Sequence, residues 1–206
     1  MPKRINIPIS DEIIRSLKIG DSVLLDGVMI TGRDAAHKWL IDCFINNKVT
    51  PSKSDIENYQ SLKDLLNHGV IYHCGPVVSG LETKQYHFVA AGPTTSIREE
   101  IYQADVMQHF NLKGVIGKGG MGLKTLRACQ EVPAVYFHAI GGAAALIAKS
   151  VQKVVGVYKL EFGVPEAMWV IEAKNFPAVV TMDAHGNSLH EDVRQKSGEI
   201  LKRLIS

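Results

Sequence analysis

Two short segments hold most of the residues that could do chemistry: Gly92-Pro-Thr-Thr-Ser-Ile-Arg98 and Gly117-Lys-Gly-Gly-Met-Gly122. Each leaves an apolar, strand-like stretch and enters a helix-like one. Each sets cationic or hydroxyl side chains beside backbone N–H groups. Those parts suffice to hold a small anion and to move a proton. Thr94, Thr95 and Ser96 are all good helix caps, and one of them is expected to serve as one. A cap uses a single hydroxyl, so two are left over. Arg98 follows Thr94 by four residues, one turn further along a helix. Its guanidinium can fork onto a carboxylate, each charge-assisted bond being worth roughly 1.5–3 kcal/mol. In the second segment the glycines, Gly119 among them, let the backbone approach a ligand, and N–H groups at a helix start favour an anion. Lys118 adds a full charge. A solvated turn fits the same composition equally well. The dinucleotide pattern G-x-G-x-x-G fits less well. It requires an acidic residue about 20 positions on, and the next strand ends Tyr136-Phe-His-Ala139 without one.

Other candidates carry weaker signals. Arg33 stands at a strand-to-helix junction beside Asp34, and His37 reads as a surface helix residue. Asp183, His185 and Asn187 follow an apolar strand, where a structural turn explains them as well as catalysis does. His138, in an apolar context, reads as a satisfied core histidine. The three cysteines, Cys43, Cys74 and Cys129, have spacings that match no metal or redox motif. Dispersed thiols of this kind are usually buried small hydrophobes.

The elements that must position these residues follow from periodicity and caps. Ser10 opens a first helix, with Asp11 and Glu12 at its positive end. Asp26-Gly27 between two short apolar runs reads as a hairpin turn. A helix is expected from Asp34 to about Asn46. The polar stretch 47–68 reads as a long loop or a loop with a short helix. Strands are expected at Val70–Cys74, Tyr86–Ala91, Gly114–Ile116, Ala134–Ala139 and Val154–Lys159. Two more are expected at Ala167–Glu172 and Ala178–Asp183. Helices are expected over about Ser96–Phe110, from Leu123, over Gly142–Ser150 and over Val193–Ile205. Alternation of strand and helix from 86 to 150 argues for parallel βα units, with an antiparallel part elsewhere. The fold class is α/β.

The chain has 206 residues, 46% of them hydrophobic and 21% charged, with a net charge of +2. That length fits one domain able to bury a full core. So small a charge argues against nucleic acid or an anionic membrane as the main partner. No apolar run reaches the ~18 residues of a membrane span, and residues 1–10 lack the apolar core of a signal peptide. A cytoplasmic location is the expectation.

Taken in order, these segments resemble the beta subunit of class I iron–sulfur hydro-lyases, the family of two-subunit class I fumarases and L-tartrate dehydratases. The matching stretches are Gly27–Asp34, Gly75-Pro76, Gly92–Arg98, Gly117–Gly122, Ile140–Ala145, Phe162–Trp169 and Asp183–Asn187. The resemblance implies a single domain over 1–206, a swivelling β/β/α fold with a parallel central sheet, an antiparallel layer and helices. It implies a 4Fe–4S cluster held by a separate, larger alpha subunit, hence a hetero-oligomer acting on a small dicarboxylate, and no metal in this chain. By motif, Thr94 and Lys118 are the catalytic pair. Arg33, Arg98, Thr95 and Gly119 bind substrate, and Asp183 and His185 are further candidates. Ile140-Gly-Gly-Ala-Ala-Ala145 looks more like the fumarase pattern than the tartrate dehydratase one. Hydration of fumarate to S-malate is the expected reaction, with L-tartrate dehydration and a non-catalytic dicarboxylate-binding module as alternatives.

Overall fold

The computed structural model describes residues 1–205. It is a mixed α/β protein built on a seven-stranded, mostly parallel sheet, with a separate two-stranded antiparallel sheet and helices. The strands are β1 (Lys3–Ile7), β2 (Ser22–Thr31), β3 (Val70–Tyr72), β4 (Val77–Ser79), β5 (His87–Ala90), β6 (Gly114–Gly117), β7 (Val135–His138), β8 (Val151–Tyr158) and β9 (Met168–Met182). The helices are α1 (Asp11–Ser16), α2 (Asp34–Leu40), α3 (Lys53–Leu66), α4 (Glu100–Phe110), α5 (Leu123–Glu131), α6 (Ala144–Ala148) and α7 (Leu189–Ile205). The order in the large sheet is β1-β2-β3-β6-β7-β9-β8, and β9 also pairs with β2, so the pairing closes on itself.

Strands β1, β2, β3, β6 and β7 run parallel. Their carboxyl ends therefore lie along one edge. Arg33, His73, Lys118 and His138 follow or finish β2, β3, β6 and β7 at that edge. Apolar residues of the two sheet faces fill two cores. One gathers Leu25, Tyr72, Phe137, Trp169 and Phe176. The other gathers Leu40, Leu66, Phe110 and Tyr136 under the helices. No helix of the described residues is long and apolar enough to cross a membrane.

Four local expectations are corrected. Asp26-Gly27 is no hairpin. β2 continues through it with a bulge, Gly27 taking φ +124°. A Cβ there would lie 2.6 Å from the Ile7 carbonyl oxygen, so the close approach of β1 requires glycine. The stretch 47–68 holds a 14-residue helix, α3, opened by a capping box between Ser52 and Asp55. The two strands expected near the carboxyl end are the single 15-residue β9. Strand β5 lies outside the parallel sheet and pairs antiparallel with β4.

Candidate active site

The two glycine-bordered segments meet through their backbones. Lys118 N–H donates to the Thr94 carbonyl at 3.1 Å, and Ser96 N–H donates to the Lys118 carbonyl at 3.1 Å. Thr94 N–H in turn donates to the His73 carbonyl at 2.7 Å. The Thr94–Ser96 stretch thus lies as a short extra rung between the ends of β3 and β6, with Thr95 bridging Lys118. Gly117 makes the approach possible, since a Cβ there would sit 1.8 Å from Ser96 Oγ. Thr94, Thr95 and Lys118 are brought together, with Gly119 exposed beside them. Thr94 Oγ1 is buried and has no hydrogen-bond partner among the described residues. The Lys118 side chain reaches toward the loop Ile140–Ala145, its Cδ 3.6 Å from the place a Cβ on Gly141 would take.

The hydroxyls do not cap. The turn Ser96–Glu99 begins at Thr95 without a side-chain cap bond, and so does α4 at Glu99. Ser96 Oγ points inward instead, accepting from the Tyr136 hydroxyl at 2.8 Å and meeting His73 Nδ1 at 2.8 Å. The positive start of α5 is also taken. Glu100 accepts from the N–H groups of Gly122, Lys124 and Thr125 at 2.8, 2.9 and 3.2 Å and from Thr125 Oγ1 at 2.6 Å. The anion expected at this helix start is the protein's own carboxylate. Any ligand anion at the edge falls to side-chain cations.

Three cations stand along that edge. Lys118 is half-buried and Arg98 exposed. Arg33 lies across Gly75, where a Cβ would be 2.5 Å from its Nη1. It is held by Glu166 at 3.2 Å and directs the same nitrogen at the Pro165 carbonyl at 3.4 Å. Arg33 Nε is buried without a partner among the described residues. Glu166 also accepts from Ala35 N–H at 3.1 Å, which pins the start of α2 to the turn before β9.

Sequence reasoning missed the layer beneath. His37 is fully buried rather than on the surface, as are His73, Glu99 and Gln103. Burial pushes the His37 pKa down, and burial together with His37 takes His73 to about 3. Both rings are neutral. Both Glu99 oxygens lack partners among the described residues, and burial raises this acid to about 7 despite Arg98 and Arg33 nearby. His138 is half-buried with Nδ1 unpartnered among the described residues, so it is not the satisfied core histidine expected. The one signal available in sequence was position: His73 and His138 stand at strand ends that run into glycine-containing loops, and Ser96 follows Gly92 by four residues.

Asp183 and His185 stand elsewhere. β9 runs against β7, with Tyr136 opposite Met182 and His138 opposite Val179. Asp183 therefore sits at the edge opposite Lys118 and His138. Its carboxylate is spent on the turn, accepting from His185 N–H, Asn187 N–H and Asn187 Nδ2 at 3.0–3.1 Å and from Ile19 N–H at 3.1 Å. His185 Nε2 lies 2.9 Å from the Arg15 carbonyl.

Residues 2–193 match the model of the family described as Fumarase C-terminus. A Geobacillus stearothermophilus protein named as a class I fumarate hydratase is 50% identical over 196 residues, 95% of this chain. The chain spans only 35% of that protein's length. A Methanocaldococcus jannaschii protein named as an L(+)-tartrate dehydratase subunit beta is 39% identical, covering 93% of each chain. The L(+)-tartrate dehydratase subunit beta of Escherichia coli K12 is 35% identical over 92% of this chain and 87% of its own. With residues 2–193 matched, and relatives of 35–50% identity over more than nine-tenths of its length, this chain belongs to the Fumarase C-terminus family of fumarate hydratases and tartrate dehydratases.

Proposed function

We propose that this chain is the beta subunit of a class I hydro-lyase that hydrates fumarate reversibly to S-malate at a site shared with a larger alpha subunit. The carrying observation is the juxtaposition of Thr94 and Lys118: a buried, unpartnered hydroxyl on a segment bonded to the strand end that bears a lysine. In this reading Thr94 takes or returns the proton on the substrate carbon. A threonine hydroxyl is a poor base unless positive charge lowers its pKa, and Lys118 supplies that charge. Removing a proton beside a carboxylate builds a second negative charge on that group. Lys118 and Arg98 stabilise the build-up, Thr95 and the Gly119 backbone border it, and Arg33, held by Glu166, completes the cationic wall.

The cysteines of this chain do not fit a cluster. Cys43, Cys74 and Cys129 are dispersed and buried, and burial takes the Cys74 and Cys129 thiols to about 12. Among the described residues no group of three or more His, Cys, Asp or Glu is placed to hold a metal. In this proposal the 4Fe–4S cluster is held by the alpha subunit, where it would supply a Lewis acid for the leaving hydroxyl. Exposed apolar side chains surround the chemistry: Ile97 within the first segment, Leu123 just after the second, Ile140 at the head of the third loop, and Ile101. Such a patch suits a partner subunit. The proposed setting is a cytoplasmic hetero-oligomer with a single family domain over 1–206, acting on a dicarboxylate and on neither nucleic acid nor membrane.

Identity favours fumarate, at 50% against 39% and 35% for the tartrate dehydratase chains. The near-complete overlap with those separate beta subunits favours L-tartrate as the second reading. The deciding assay purifies the complex anaerobically and measures fumarate hydration and L-tartrate dehydration on one sample. Fumarate turnover that is lost in air is expected. Turnover of tartrate alone would move the substrate, and turnover of neither with an intact cluster would overturn the hydro-lyase reading of this site.

A further inference from the structure

The chemistry-bearing loops rest on a buried polar chain that the proposed reaction does not itself use. His37 Nδ1 lies 2.8 Å from the Arg33 carbonyl oxygen. His37 Nε2 and His73 Nε2 lie 3.1 and 2.8 Å from the same terminal atom of the Gln103 side chain. His73 Nδ1 lies 2.8 Å from Ser96 Oγ. The two rings stand edge to face with centroids 5.2 Å apart, and both are fully buried.

Proton counting decides how this chain is wired. A carbonyl only accepts, so His37 Nδ1 carries a hydrogen. The ring is neutral, so its Nε2 is a bare acceptor. The Gln103 atom facing it stands as Oε1, which would set one lone pair against another. A carboxamide has the same shape with O and N exchanged, and only the network tells them apart. The network requires the NH2 group there. That group has two hydrogens, and two bare acceptors face it, His37 Nε2 and His73 Nε2. His73 then also carries its hydrogen on Nδ1 and donates it to Ser96 Oγ. The other carboxamide atom has no partner among the described residues. An under-used carbonyl oxygen is tolerated there better than an NH2 group with both hydrogens unmet.

We propose that Gln103 is a positioning residue: its NH2 group bridges two neutral Nδ1–H imidazoles and so locks the Arg33 turn to the Thr94–Ser96 segment. One ring holds the Arg33 carbonyl. The other holds Ser96 through its side chain and Thr94 through its backbone carbonyl. The positioning role rests on the reading of these segments as the dicarboxylate site, but the wiring does not.

The test is nitrogen NMR of the full chain, in its complex, with histidine labelled in this chain alone. At pH 7 both His37 and His73 are expected as Nδ1–H tautomers, the form disfavoured for free imidazole in water. An Nε2–H tautomer or an imidazolium at either ring would overturn the proposal. Gln103→Glu keeps the shape but offers at most one hydrogen where the NH2 group offers two. It is expected to convert at least one ring to Nε2–H or imidazolium, to move the Thr94 amide signal, and to lower kcat/KM about tenfold or more. Wild-type tautomers in that variant, or altered tautomers with an unmoved Thr94 signal and unchanged kcat/KM, would also overturn it. If the wild type turns over neither fumarate nor tartrate, yet shows both tautomers and the variant's Thr94 shift, the functional reading fails and the wiring stands.

Discussion

Thr94 and Glu99 stand five residues apart and show two ways a buried polar group is left without a partner. Thr94 Oγ1 is unpartnered among the described residues at the carboxyl edge of the parallel strands, on a residue whose carbonyl accepts from Lys118 N–H. Glu99 is unpartnered beneath it, and its carboxyl keeps a proton to about pH 7 against an ordinary value of 4.5. The consequence for stability has a definite sign. Between about pH 4.5 and 7 the native chain holds this proton and the unfolded chain has lost it, so stability falls as pH rises through that window. His73 acts oppositely: native at about 3 and ordinarily 6.5, it costs stability as pH falls below 6.5. Glu99→Gln is therefore expected to stabilise the fold most above pH 7 and not at all near pH 4.5, as read by urea unfolding across that range. An equal gain at both ends would show that ionisation of Glu99 is not the cost. None of this was legible in the sequence, where Glu99 reads as one more helix-start acid. The Thr94–Ser96 run stood out because three hydroxyls in a row exceed what a cap requires, and the family resemblance chose Thr94 among them.

At the scale of elements, the order and type of most segments were readable, and the errors at the strands share a cause. Asp26-Gly27 has the composition of a turn, but β1 and β9 pair on either side and hold the chain extended through it. β9 was read as two strands because Lys174, Asn175 and Pro177 interrupt its apolar run. Asp26 compensates there, accepting from Asn175 N–H, Lys174 and Arg4. Whereas α3 is opened by its own Ser52–Asp55 capping box, the bulge at Gly27 and the continuity of β9 depend on partners far away in sequence. The start of α5 is the same case, since its anion is Glu100, 22 or more residues earlier. Glu100→Ala is expected to cost about 1–3 kcal/mol in urea unfolding, because four donors lose a charged acceptor. Asp183→Ala should likewise lower stability, by at least about 2 kcal/mol, while leaving kcat/KM per folded molecule near wild type. A lost turnover with stability intact would instead place Asp183 in the chemistry.

For the whole molecule, the parallel strands gather Arg33, Thr94 and Lys118 from separate parts of the chain onto one edge, and the exposed apolar residues lie around that same edge. The two glycine-bordered segments could be found in sequence, but their convergence could not, since it follows from strand order. The edge carries cations and a hydroxyl, and its one neighbouring thiol among the described residues, Cys74, is buried and pushed up to about 12. Leu123→Glu places a charge in the exposed patch, where it touches no core residue's role. It is expected to leave the unfolding midpoint near wild type and to abolish co-purification with the alpha subunit. Retained co-purification would move the interface off this face.

The most direct measurement compares Thr94→Ala with wild type in the anaerobic complex, reading fumarate hydration and dicarboxylate binding together. Thr94 Oγ1 makes no hydrogen bond among the described residues, so its removal leaves the fold and the cationic wall in place. The expected result is a fall in kcat of about 10²–10⁴-fold, the range for a lost proton-transfer group, with affinity for S-malate within a few-fold of wild type. A variant that turns over near the wild-type rate would contradict the account.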